Sequence, residues 1–141
     1  FMDYNPKNGV LAIVTQLGEV VELFNLKTGE HHVCYGPGGE PVFSIAQSEA
    51  IPKGIKGFND VVVSDSCIYT VFDGISFKDR IREFRSGKKQ PEGGKYVYVF
   101  GFDGKQKERI ELFNSAFGLS VLEGELLTTS TDADVPLYVY Q

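Results

Sequence analysis

The residues that could do chemistry in this 141-residue chain are few. Its two histidines are adjacent, His31 and His32. Neighbouring side chains on a strand point to opposite faces, so this pair is badly placed to share one metal ion and reads as a solvated strand-edge pair. Asp132-Ala133-Asp134 sets two carboxylates on one side of an extended chain. A calcium ion needs six or more oxygens, and the full EF-hand loop pattern is absent, so a turn between strands is the plainer reading. Gly36-Pro37-Gly38-Gly39 is glycine-rich but lacks the Gly-Lys-Ser/Thr ending of a phosphate loop, and no helical pattern follows it. Cys34 and Cys67 do not have the Cys-x-x-Cys spacing of common zinc sites. Separate burial and a disulfide both remain open for them. No Gly-x-Ser-x-Gly elbow occurs and no Ser-His-Asp set can be placed, so acid–base catalysis would rest on carboxylates that nothing in the sequence selects. The expectation is no catalytic residue, no metal and no cofactor.

One stretch is chemically distinctive. Between Lys78 and Lys95 lie Lys78, Arg80, Arg82, Arg85, Lys88, Lys89 and Lys95, half of the 14 basic residues, against Asp79, Glu83 and Glu92. A segment near +4 therefore sits in a chain whose net charge is -5. A solvated loop would satisfy this pattern. The functional alternative is a dock for an anionic partner such as a polysaccharide, a lipid headgroup or an acidic protein, with Arg82, Arg85, Lys88 and Lys89 as its contacts. The overall negative charge argues against a general nucleic-acid binder, which needs a basic footprint.

The elements that must position these residues are strands. Hydrophobic residues make up 42% and aromatics 13%, with 16 Gly, which describes a folded chain rich in strands and turns. No apolar run approaches the roughly 18 residues of a membrane span. Strand-like alternation covers 1–4, 10–15, 20–26 and 30–35, with turns at Asn5-Pro6-Lys7-Asn8-Gly9 and Lys27-Thr28-Gly29. It resumes over 58–63 and 67–72, and again over 96–102 and 109–112 around an Asp103-Gly104 hairpin turn. A third set covers 117–122, 126–130 and 137–140. Four short antiparallel strands in about 35 residues make one propeller blade, so the repeat predicts blades at about 1–35, 57–112 and 116–141, the last lacking its fourth strand. Phe77, Ile81 and Phe84 fall at i, i+4 and i+7 and predict one short helix over 77–85. Two insertions, 36–57 and 73–95, join the last strand of one blade to the next blade and the second strand of a blade to its third. In an up-and-down sheet both connections emerge at the same end, which makes that end the candidate functional face.

The order and spacing of several motifs resemble the TolB-like six-bladed β-propeller family. They are Phe58-Asn59-Asp60-Val61-Val62-Val63 followed by Cys67-Ile68-Tyr69-Thr70-Val71-Phe72-Asp73-Gly74, and Val97-Tyr98-Val99-Phe100-Gly101-Phe102-Asp103-Gly104-Lys105 followed by Ile110-Glu111-Leu112. Tyr4-Asn5-Pro6-Lys7-Asn8-Gly9-Val10-Leu11-Ala12 and Leu137-Tyr138-Val139-Tyr140 fit the same plan. The resemblance implies an all-β chain of antiparallel four-stranded blades, about three of six. It also implies a place in the bacterial cell envelope, periplasmic or as an outer-membrane lipoprotein, and it brings no catalytic motif. Six blades need about 40–50 residues each, so the chain is expected to be the C-terminal half of a longer protein. Three functions follow as expectations. The first is a non-catalytic binding or scaffold module for an unknown protein or glycan. The second is a propeller hydrolase or lyase whose site lies in other blades, and the third is a structural protein that self-associates through exposed strand edges.

Overall fold

The computed structural model describes residues 1–88, 92–131 and 134–141. Its first sheet runs β1 (Met2–Asn5), β2 (Val10–Val14), β3 (Val20–Asn25) and β4 (His31–Tyr35), each strand antiparallel to the one before. A two-stranded hairpin follows, β5 (Phe43–Ala46) and β6 (Glu49–Pro52). The second sheet holds β7 (Phe58–Val63), β8 (Ile68–Phe72), β9 (Gly94–Phe100) and β10 (Gln106–Ala116), with helix α1 (Phe77–Arg85) inserted between β8 and β9. The third sheet has three strands, β11 (Gly118–Leu122), β12 (Glu125–Thr129) and β13 (Leu137–Tyr140).

Burial explains why the strand patterns differ. The second sheet is covered on both faces. Phe58, Val61, Val63, Ile68, Phe72, Tyr98 and Phe100 pack against Val10, Ala12, Val14, Val21, Leu23 and Cys34 of the first sheet. Val71, Val97, Val99 and Leu112 pack with Leu119 and Leu126 of the third. A strand buried on both sides has no solvent face, which is why Val97-Tyr98-Val99-Phe100 reads as an unbroken apolar run. β2, covered on one side, alternates instead. Phe58 is fully buried at the first seam, its ring 5.4 Å from Phe72 and edge-on to Tyr98 and Phe100.

The first strands of successive sheets face one another and share one device. Asp3 on β1 accepts the Val63 N–H of β7 at 2.8 Å, and Asp60 on β7 accepts the Leu119 N–H of β11 at 2.8 Å. Each bond ties a carboxylate of one sheet to the backbone of the next and fixes their spacing. At the opposite end of β7, Gly57 donates to Gln16 O and Phe58 to Thr15 O. A Cβ at Gly57 would lie 1.9 Å from Gly18 O, so only glycine permits this approach.

The two cysteines do not pair. Both are free and buried, Cys34 in the first cluster and Cys67 in the second. Hairpin β5–β6 is a feature that the sequence pattern does not announce. Its two-residue turn has Gln47 at φ 52° and Ser48 at φ 67°. A turn with positive φ at both positions is normally signalled by Asn-Gly, and Gln-Ser carries no such signal.

Candidate functional site

The two long connections are tied into one structure. Segments 54–56 and 74–77 run side by side: Lys56 N–H donates to Ile75 O at 2.7 Å, Gly74 N–H to Lys56 O at 2.9 Å, and Phe77 N–H to Gly54 O at 3.1 Å. Beneath them Asp73 is a hub. Its side chain is 2% exposed and lies 2.9 Å from Lys56 Nζ and 3.5 Å from the Arg80 guanidinium. Asn59 donates to the same carboxylate oxygen at 3.4 Å and accepts from Gln16 Nε2 at 3.1 Å. The network therefore joins the 15–19 loop, β7, the end of β8 and α1, with two cations sharing one buried carboxylate.

Helix α1 starts where Ser76 accepts the Asp79 N–H at 3.0 Å and donates its hydroxyl to the Asp79 carboxylate at 2.7 Å. It ends where the Ser86 N–H returns to Arg82 O, with Gly87 at φ 70° just beyond. Nine residues make a marginal helix in isolation, so the Asp73–Arg80 contact and the Phe77–Gly54 bond hold it in place.

Beyond Phe77 the orientation of α1 is inverted relative to an ordinary surface helix. Phe77, Asp79, Arg80 and Glu83 are its half-buried positions, and no residue of the helix is fully buried. Ile81 and Phe84 face solvent, at 52% and 84% exposure. Helical geometry puts Lys78, Arg82 and Arg85 on the same outward arc. Hairpin β5–β6 behaves similarly, with Phe43, Ile45 and Ile51 exposed and Ile45 84% so.

Between hairpin and helix lies an open groove of about 560 Å³. Ile51, Pro52 and Ile81 form its floor, and Lys53, Lys78, Arg82 and Arg85 its rim. Of the four residues expected to meet an anionic partner, Arg82 and Arg85 reach this groove. Lys88 is exposed beyond the helix cap and is not among the groove-lining residues, and Lys89 lies outside the described residues. Arg82 also pairs with Asp79 one turn back. Lys53, Ile51 and Pro52 escaped the sequence reading because they arrive with the unsignalled hairpin.

The structure places the remaining candidates apart from this groove. His31 stacks on Phe24 with ring centroids 4.2 Å apart and sits 3.1 Å from Glu22, while His32 faces the other side of β4. Asp132 lies outside the described residues, so the Asp132-Ala133-Asp134 carboxylates are not a described pair. Among the described residues no group of three or more His, Cys, Asp or Glu comes together. The glycine-rich segment wraps a carboxylate of this chain: Gly38 N–H donates to Glu19 Oε2 at 2.8 Å. A Cβ at Gly38 would lie 1.9 Å from Glu19 Oε1. Burial pushes the Glu19 carboxyl above its ordinary range, and the Gly38 bond only partly opposes this.

At the other end of the sheets a cleft of about 470 Å³ lies among the short turns. On its wall Asn5 and Lys7 bond Asp65 at 3.0 and 2.9 Å and hold its carboxyl below the usual range. Tyr69, on its wall, is pushed up to about 12, first by its bond to Cys67 and then by burial.

Two sheets of four antiparallel strands and one of three, stacked through their first strands, with elaboration at one end, define a propeller-type module. The family described as TolB-like 6-blade propeller-like matches residues 1–124, and the chain belongs to that family. Among solved structures, the chain is similar to the computationally designed Ika4 protein, at 7% identity and a TM-score of 0.40, over 99% of this chain and 88% of that one. No curated protein matches the sequence. No helix among the described residues is long and apolar enough to cross a membrane.

Proposed function

We propose that this chain is a non-catalytic binding module, with blades at about 1–35, 57–112 and 116–141, that takes an anionic partner in the groove between β6 and α1. The observation that carries the reading is the ring of Lys53, Lys78, Arg82 and Arg85 around that groove in a protein of net charge -5. Four cations converging on one concave surface focus positive potential and favour an anionic ligand. The family's implied setting, the bacterial cell envelope, is rich in such partners.

Replacing all four groove residues with Gln tests this. Binding to a soluble sulfated polysaccharide, followed by fluorescence anisotropy, should fall at least about tenfold and should weaken with salt in the parent chain. Lys88→Gln, outside the groove, should leave binding near the parent value. Equal binding by parent and four-site variant would contradict the reading.

A further inference from the structure

The groove supplies more than charge. A soluble polyanion needs cations, and it has no use for Phe84 on α1 and Ile45 on β5, each 84% exposed, or for Ile81 in the groove lining. These apolar groups do not fold the chain, because the seam between the first two sheets is complete without them. Helix α1 half-buries Asp79 and Glu83 and presents Ile81 and Phe84 with Lys78, Arg82 and Arg85 along one side. An apolar strip flanked by long cations is the pattern of a helix that lies in a membrane–water interface, with aromatic and aliphatic groups entering the acyl boundary and basic groups at the phosphates.

We propose that α1 and hairpin β5–β6 dock this protein onto a leaflet containing anionic lipids. This rests on the reading that the groove takes an anionic partner, and names that partner. Phe84 and Ile81 enter the interface. Lys53, Lys78, Arg82 and Arg85 meet headgroup phosphates, their stems lying along the apolar floor formed with Ile51 and Pro52. The net charge of -5 repels the rest of the protein from such a surface, which orients the approach. α1 is fixed to the second sheet through Arg80 and Asp73, so docking needs no unfolding.

The chain contains no Trp, so Phe84→Trp in the full 141-residue protein creates a single reporter on the outward side of α1. Mixed phosphatidylcholine–phosphatidylglycerol vesicles should shift its emission to the blue, whereas phosphatidylcholine vesicles and dextran sulfate should not. In co-sedimentation of chains that retain Phe84, the Arg82→Gln/Arg85→Gln variant should lose roughly fivefold per charge removed. The Ile81→Ser/Phe84→Ser variant should lose at least about tenfold for vesicles while keeping its affinity for dextran sulfate. Binding to dextran sulfate without binding to vesicles overturns the membrane proposal and leaves the anionic site standing. So does tighter binding to an acidic amphipathic peptide than to vesicles. Vesicle binding that survives Ile81→Ser/Phe84→Ser overturns the insertion, and failure to bind either probe overturns both readings.

Discussion

The seam between the first two sheets and the helix–hairpin cap use the same kinds of residue to opposite ends. At the seam Phe58 is fully buried, three aromatic rings pack around it, and Asp3 locks the sheets together by one backbone bond. At the cap Phe84 and Ile45 are exposed on the two elements that frame a groove lined by four cations, and beyond Phe77 the helix half-buries only Asp79, Arg80 and Glu83. Apolar area at the seam is removed from water by folding. At the cap it stays exposed until something covers it, so its energetic role belongs to binding rather than stability.

The sharpest way to break this comparison is a pair of truncations. Phe58→Ala should destabilise the chain by about 3–5 kcal/mol, and Phe84→Ala by less than about 0.5 kcal/mol, both read from denaturant melts. Similar losses at the two sites would mean that the cap helps to hold the fold. Next in size is Asp73, the joint between the two regions. Asp73→Ala leaves Lys56 and Arg80 without their shared partner, and because both are partly solvated the expected loss is about 1–3 kcal/mol. Hydrogen exchange should quicken across 77–85 ahead of the strands, and uniform acceleration would show that α1 is not hung on this carboxylate.

The smallest expected change is a gain. Glu19 has a raised folded pKa, so the folded chain holds that proton more tightly than the unfolded chain does. Its contribution to stability is full below the unfolded value of 4.5 and is lost as pH rises through the folded value. Glu19→Gln keeps an acceptor for the Gly38 N–H and removes the buried charge. Its Tm should exceed the parent's by about 2–4 °C at pH 7, and the difference should shrink towards pH 4. A lower Tm at pH 7 would show that the charge itself stabilises the loop.

The contrast between the regions also sets what was legible in the sequence. Strands such as 10–14 and 58–63 are visible because alternation and β-branching report a sheet face, and 97–100 because burial on both sides leaves a continuous apolar run. Helix α1 was visible from Phe77, Ile81 and Phe84, yet that spacing says only that they share a face, not that Ile81 and Phe84 look outward while Phe77 is half-buried. Its inversion follows from Asp73 holding Arg80, a contact between distant elements. Hairpin β5–β6 was hidden by a Gln-Ser turn, and with it went Lys53, Ile51 and the groove. Arg82 and Arg85 stood out by charge alone, whereas Lys88, equally charged, sits outside the groove, because charge density records composition and not convergence.

The most direct measurement is hydrogen–deuterium exchange on the full chain with and without phosphatidylglycerol-containing vesicles. Protection should appear at 43–53 and 77–85, the hairpin and helix that frame the groove, with the strands of the three sheets unchanged. Protection confined to the short-turn end around 5–9 and 64–66, or none at all, would contradict the assignment of binding to the cap.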